Sequence, residues 1–219
     1  VTLNKQKGNM YNFVTHTWNP IRGKCPHNCS YCYMKAFKVG ELRLDEKCLK
    51  DNLGEGNFIF VGSSTDMFAK DVDSDWIRRV LYSCNIYTKN KYLFQTKNPR
   101  RFREFNYYFP PQTILGVTIE TNKWIGGISN APLTIDRRNN MLYKGFKRKM
   151  VSIEPIMDFD LDIMVKWMKE INPKFVSIES DSKNHNLPEP SADKVNALIK
   201  ELKKFTEVKI KKNLSRILK

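Results

Sequence analysis

Three of the five cysteines in this 219-residue chain fall within eight residues, in the run CPHNCSYC that places them at Cys25, Cys29 and Cys32. Such crowding suits a metal site better than a disulfide framework. Three thiolates on one short loop can ligate three corners of an iron–sulfur cubane, and the fourth iron is then open to an exogenous ligand. Zinc is the competing occupant, because His27 or His16 could complete a tetrahedral set with the three cysteines. Structural zinc sites usually pair two separated knuckles, yet no second C-x2-C follows, and His27 lies inside the loop, badly placed to reach the same ion. The spacing favours the cluster and leaves zinc as the alternative. Cys48 and Cys84 stand alone and read as small buried side chains.

The elements that must position this loop follow from the hydrophobic pattern. YNFVTH (11–16) reads as a strand ending just before the cysteines, with a helix expected from Tyr33 to Lys50. NFIFVG (57–62) is apolar on both faces, as expected of a strand buried in a parallel sheet, and leads into the polar turn SSTD. Further strands are expected at 91–96, 113–120, 149–155 and 174–180. Helical patterns occur at 73–88, 99–106, 160–171 and 191–204, and Asp73, Pro99, Asp160 and Ser191 stand where helix-start signals are expected. Six βα units in order argue for an α/β fold, a partial six-stranded (βα)6 barrel over residues 1–219, with the cysteine loop on its C-terminal edge, where such folds place their chemistry. Thr121–Gly145, interrupted by Gly126, Gly127 and Pro132, reads as a loop over the barrel mouth. EVKIKK opens the tail at 207–219 as a possible extra strand before a basic end.

A 41% hydrophobic content with 12% aromatics suffices for a sizeable core. No run approaches the roughly 20 apolar residues of a membrane span, and the opening VTLNKQKGNMYNF lacks a leader's apolar stretch. The expectation is a cytoplasmic protein with no membrane partner. A formal charge of +15 fits a nucleic-acid or nucleotide partner, although solvated basic helix faces would give the same number.

The spacing Cys25, Cys29, Cys32 with Tyr31 just before the last cysteine resembles the radical S-adenosylmethionine (SAM) superfamily. The likeness is strongest to a phage-associated branch of uncharacterised function, through THTWNP (15–20), CSYCYMK (29–35), FVGSSTDMF (60–68), FQTKNPRRF (94–102), LGVTIE (115–120) and VSIEP (151–155). It runs from about Tyr11 to Lys212, with two departures: the cysteine loop is compact, and SIESDS (177–182) stands where a glycine-rich turn is expected. The resemblance implies a [4Fe–4S] cluster on the three cysteines, with SAM on the open iron. It implies an electron from a flavodoxin- or ferredoxin-like donor, cleavage of SAM to methionine and a 5′-deoxyadenosyl radical, and hydrogen abstraction from a substrate. Gly62, Ser63, Ser64, Thr65 and Asp66 fall where the superfamily accepts hydrogen bonds from the SAM amino group. Thr96 and Lys97, Thr118 and Glu120, and Ser152 and Glu154 end three successive strands and would line one polar cavity, with Glu120 and Lys97 toward the SAM ribose and carboxylate and Glu154, with Glu179, further round toward substrate. Tyr31 is expected to touch SAM and Trp18 to pack. Asn19 and Arg22 are candidates for orienting the cysteine loop. Cys84, mid-helix, is a poor hydrogen donor, and no catalytic residue is identified.

Three functions follow. The first is radical chemistry on a nucleic-acid base or nucleotide, supported by Arg100, Arg101 and Arg103 around Phe102 and Phe105, a mixture that could bind phosphates and stack bases or be an amphipathic helix with its phenylalanines in the core. The second is the same chemistry on a peptide or small metabolite. The third, from another class, is a non-catalytic, zinc-stabilised nucleic-acid-binding module.

Overall fold

A computed structural model describes residues 3–6 and 10–219; the stretch read above for a leader includes residues 1, 2 and 7–9, outside the described residues. The chain begins with β1 (Leu3–Lys5), β2 (His16–Trp18), β3 (Ile21–Arg22), β4 (Arg43–Leu44) and β5 (Phe58–Val61). It then alternates α1 (Ser74–Ile86), β6 (Lys91–Thr96), β7 (Thr113–Thr118), α2 (Thr134–Met141), β8 (Lys149–Ile153), α3 (Leu161–Ile171), β9 (Phe175–Ile178), α4 (Ala192–Leu202) and β10 (Glu207–Ile210). One sheet runs β1-β2-β5-β6-β7-β8-β9-β10, antiparallel between β1 and β2 and parallel from β2 onward, while β3 and β4 form a separate hairpin. The six strands expected from the sequence are present in order, and β10 adds a seventh parallel strand.

Side chains on a strand alternate between the sheet's two faces. Ile59, Val61, Tyr92, Phe94, Leu115, Val117, Val151 and Ile153 face outward into the main core under the helices. Phe60, Leu93, Ile114, Met150 and Phe175 face inward, where Tyr11 and Val14 join them as an apolar floor. One step up the strands the register aligns Thr118, Ser152, Ser177 and Lys209. The next inward positions are Glu120, Glu154, Glu179 and Lys211, so the concave face grades from apolar floor to charged rim.

Asp73, Asp160 and Ser191 cap α1, α3 and α4 by accepting from the backbone N–H groups of Asp75, Ile163 and Lys194, as their residue types predict. Two expected helices are replaced. Over Tyr33–Lys50 only 3-10 turns at Tyr33–Ala36 and Cys48–Lys50 form; Cys32 gives no side-chain cap, Gly40 is engaged by Lys24 through its carbonyl, and the β3–β4 hairpin instead packs Leu42 and Leu44 on the core. Over 99–106 a 3-10 helix at Pro99–Arg103 forms, and its three-residue turn brings Phe102 and Phe105 onto the same buried side. The first barrel strand starts at His16, not Tyr11, because Tyr11–Val14 turns inward as part of the floor.

Candidate active site

Asn19 follows β2 and fixes the turn after β5: its Oδ1 accepts from Ser63 Oγ (3.2 Å) and the Ser64 N–H (3.0 Å). Its own carbonyl accepts from Arg22 Nε at 2.9 Å. Gly62 makes that turn with φ +77°. Gly23 then admits the chain to the cysteine loop at φ +112°, where a Cβ would lie 2.1 Å from the Glu41 carbonyl oxygen. Inside the loop, the N–H groups of Asn28, Cys32 and Lys35 return to the carbonyls of Cys25, Cys29 and Cys32. The loop is held from both sides. Thr65 Oγ1 donates to the Gly23 carbonyl (2.9 Å) on one side; on the other, the Ser30 N–H donates to Ile128 O (2.8 Å) and the Asn130 N–H to His27 O (2.7 Å). The front half of Thr121–Gly145 thus braces the cysteine loop at the barrel mouth, and its back half is α2, an element the sequence pattern did not show.

Asp66 is the principal tie. Its Oδ2 accepts from His27 Nε2 (2.8 Å), Thr96 Oγ1 (2.9 Å) and the Lys97 N–H (2.8 Å), and its Oδ1 accepts from the Phe68 N–H (3.0 Å). Burial alone would raise its carboxyl, but the His27 charge and these donors outweigh it and hold Asp66 below the usual carboxylate range.

Cys25, Cys29 and Cys32 carry free thiols and line one cavity of about 550 Å³. Burial, followed by the Asp66 charge, pushes the Cys25 thiol up to about 11. Among the described residues, no three His, Cys, Asp or Glu side chains gather as they would around a single metal ion.

Of the twelve residues expected around the cofactor, Tyr31, Gly62, Ser63, Ser64, Thr65, Asp66, Thr96, Lys97, Thr118, Ser152 and Glu154 line this cavity. Glu120 stands behind the wall, bonded to the Tyr31 hydroxyl, to Arg137 at 2.8 Å and to Lys97 at 3.9 Å. Burial raises the Glu120 carboxyl, but Arg137 and Lys97 overcome it and keep the group low. Lys97 lies over the Tyr31 ring (5.4 Å); burial would lower it, but negative charge at Cys29 and Glu120 holds it high.

Sequence reasoning missed Tyr11, Lys211, Asp181, His185 and Arg137, which stand on or behind this wall. Tyr11 donates to Gln95 Oε1 (2.9 Å), and Gln95 Nε2 to Thr118 Oγ1 (3.0 Å). Lys211 reaches in from beyond β10 to Glu179 (2.6 Å) and Glu154 (3.4 Å) and lies 4.7 Å over the Tyr11 ring. Burial, with Glu179 adding and Lys211 opposing, raises the Glu154 carboxyl. Asp181 and His185 lie on the loop after β9 and line the same cavity. A turn of Asp-x3-His, outside any periodic element, was the available signal for that pair; Arg137 sat in an unexpected helix.

The basic–aromatic stripe is corrected. Arg101 is buried, donating to Ala69 O (2.8 Å), Val72 O (2.7 Å) and Ser74 Oγ (2.8 Å), while Phe102 and Phe105 are core residues. Arg101, Phe102 and Phe105 follow the packing alternative, while Arg100 and Arg103 stay exposed. Trp18 and Phe68 are buried in the core, as are Cys48 and Cys84.

The fold can be compared with solved structures. A variant of spore photoproduct lyase with bound AdoMet and dinucleoside spore photoproduct superposes with a TM-score of 0.66 at 8% identity, covering 94% of this chain and 78% of that one. A variant with the dinucleoside spore photoproduct gives 0.68 at 8% identity, with the same coverage. The architecture is therefore a partial (βα)6 barrel, the fold shared with these lyase structures. A family model described as "Protein of unknown function (DUF5131)" matches residues 9–169. No curated protein matches the chain.

Proposed function

We infer that this chain, which belongs to the DUF5131 family, is a radical SAM enzyme in which Cys25, Cys29 and Cys32 hold a [4Fe–4S] cluster and whose substrate is a nucleic-acid base or nucleotide. The observation that carries this reading is the meeting of three free thiols, at C-x3-C-x2-C spacing, on one cavity at the C-terminal edge of a radical SAM barrel. The donor set fits the cluster: three thiols with no fourth cysteine beside them, in a loop fixed at Gly23, His27 and Ser30. Ser152 fits a bound ligand too, since its Oγ lies in the cavity wall beside the Tyr11 hydroxyl. When bound, cluster and SAM supply one-electron reductive cleavage of the sulfonium and the capacity to abstract hydrogen from carbon.

The chain's part is placement and exclusion of water. Gly62, Ser63, Ser64 and Thr65 form the turn beside the cysteines whose acceptors would meet the SAM amino group; Asp66, fully engaged in holding that turn, acts as its brace. Tyr31, Thr96, Lys97 and Thr118 would contact the rest of SAM. Glu120 orients Tyr31 and Lys97 from behind. The floor of Tyr11, Phe60 and Leu93 keeps the inner end apolar, as a hydrogen-abstracting species requires.

The nucleic-acid part rests on the net charge of +15 and on the likeness to a lyase described with a dinucleoside photoproduct. The motif likeness supports the phage-associated branch. A flavodoxin- or ferredoxin-like donor and a reducing, cytoplasmic setting suit five free cysteines, and no helix among the described residues is long and apolar enough to cross a membrane. To test the reading, the anaerobically reconstituted protein is reduced with dithionite in the presence of SAM, with and without DNA and RNA oligonucleotides. Formation of 5′-deoxyadenosine, faster with one of the nucleic acids, is expected. No 5′-deoxyadenosine contradicts the chemistry; formation indifferent to every nucleic acid contradicts the substrate class.

A further inference from the structure

The far wall of the cavity, built by β8, β9, the loop after β9 and the residue after β10, carries polar groups with no role in the reading above. Glu179, Asp181, His185 and Lys211 lie beyond the matched span 9–169, while β8 with Ser152 and Glu154 lies within it. Asp181 is buried. Its carboxylate accepts from His185 Nδ1 (2.6 Å), from the His185 backbone N–H and from the Lys183 N–H (3.2 Å). An ionised carboxylate only accepts, so the proton of a neutral His185 belongs on Nδ1 and the ring presents Nε2 as an acceptor. The loop is fixed around this pair: Asn213 Nδ2 donates to Ser180 O (2.9 Å), Arg216 Nη2 donates to Asp181 O (3.1 Å), and Asn184 and Asn186 take left-handed φ values of 54° and 56°.

Two more acceptors share the wall. Ser152 Oγ is buried beside the Tyr11 hydroxyl. Glu154 receives Ser177 Oγ, the Tyr11 hydroxyl and, at 3.4 Å, Lys211 Nζ, which leaves one of a carboxylate's four acceptor positions open. Of the cations nearby, Lys211 is turned onto Glu179, Glu154 and the Tyr11 ring, Arg216 pairs with Glu189, and Lys183 stands at the rim.

We propose that Ser152, Glu154 and His185 form a substrate subsite that accepts hydrogen bonds and thereby selects an amino group, with Asp181 as the residue that positions His185. Resting on the nucleobase reading above, the subsite takes the exocyclic amine of a base such as cytosine in preference to the 4-oxo edge of uracil. A carboxylate that accepts from the cytosine amine is an established pairing, and a mismatched edge leaves buried acceptors unmade.

The test uses the reconstituted protein saturated with SAM, so that the SAM end is filled, and measures binding of cytidine and uridine by calorimetry. Cytidine is expected to bind about tenfold more tightly, and Glu154→Gln or Ser152→Ala to reduce the preference to within about threefold. In nitrogen-15 spectra, Asp181→Asn is expected to lose the single Nδ1–H tautomer of His185. Equal binding of the two nucleosides overturns the subsite while leaving the nucleobase reading intact. Binding of methylamine without either nucleoside supports the subsite and overturns the nucleobase reading. Binding of none of the three overturns both.

Discussion

Replacing Asp66 by asparagine separates the structural tie from the chemistry of the cysteines. The side chain is 11% exposed and receives four donors, three of them on Oδ2. An asparagine oxygen placed where Oδ2 stood keeps three partners but turns its amide N–H2 toward the Phe68 N–H. One buried donor left unmade costs about 1–3 kcal/mol, and the remaining bonds fall from charge-assisted strength to roughly 1 kcal/mol each. A net loss of about 3 kcal/mol is reasonable, equivalent in a chain of this size to roughly 6–12 °C in Tm. Because Asp66 is held below its ordinary value, its contribution is complete above the unfolded carboxyl value near 4 and is lost as pH falls through the folded one. Thermal melts of wild type and variant should therefore differ by a constant amount around neutral pH and converge in acid. The reconstituted variant should also release iron faster to a chelator, since the His27 bond loses its charge assistance. A variant that melts within roughly 2 °C of wild type and keeps its iron as long would refute the assignment of Asp66 as the tie between the cysteine loop and the barrel.

Further outcomes follow from the same geometry. Gly23→Ala should lose at least about 3 kcal/mol, because its Cβ meets a backbone carbonyl at 2.1 Å; Gly127→Ala, with a positive φ but open space, should lose only about 1–2 kcal/mol in a urea titration. Arg101→Met should cost about 2–4 kcal/mol by removing the buried charge-assisted bonds to the Ala69 and Val72 carbonyls, whereas the exposed Arg100→Ala should stay within about 0.5 kcal/mol and leave nucleic-acid affinity unchanged in an anisotropy titration. Glu154, chiefly through burial, holds its proton above the unfolded value near 4.3, so the native state binds the extra proton and stability at this site falls as pH rises through that window. Glu154→Gln removes this term, and its advantage over wild type should be larger at about pH 8 than at about pH 5; an advantage that shrinks with rising pH contradicts the burial argument.

The strands were legible because runs such as FIFV and YLF are apolar on both faces, and three helix starts were legible because Asp73, Asp160 and Ser191 can do little else before an apolar stripe. The cysteine loop announced itself by spacing alone. What stayed hidden had no local pattern. Helix α2 buries only Arg137 and Met141, so TIDRRNNM shows no apolar stripe. Arg101 looks like a surface charge until Ala69, Val72 and Ser74 surround it. The segment after Cys32 has the composition of a helix and folds back as a hairpin because Leu42 and Leu44 find the core that way. The tie between His27 and Asp66 joins residues 39 apart, and Lys211 meets Glu154 across the sheet; such pairs follow from register, which no single segment encodes.

The most direct measurement is the iron and sulfide content of the anaerobically reconstituted protein, with its reduced electron paramagnetic resonance spectrum taken before and after SAM. Wild type should bind four irons and four sulfides per chain, and SAM should shift the spectrum through the one iron that the three cysteines leave open. Cys29→Ala should abolish both. A protein that takes up one zinc and no iron, with Cys29→Ala losing only that zinc, would contradict the account at its centre.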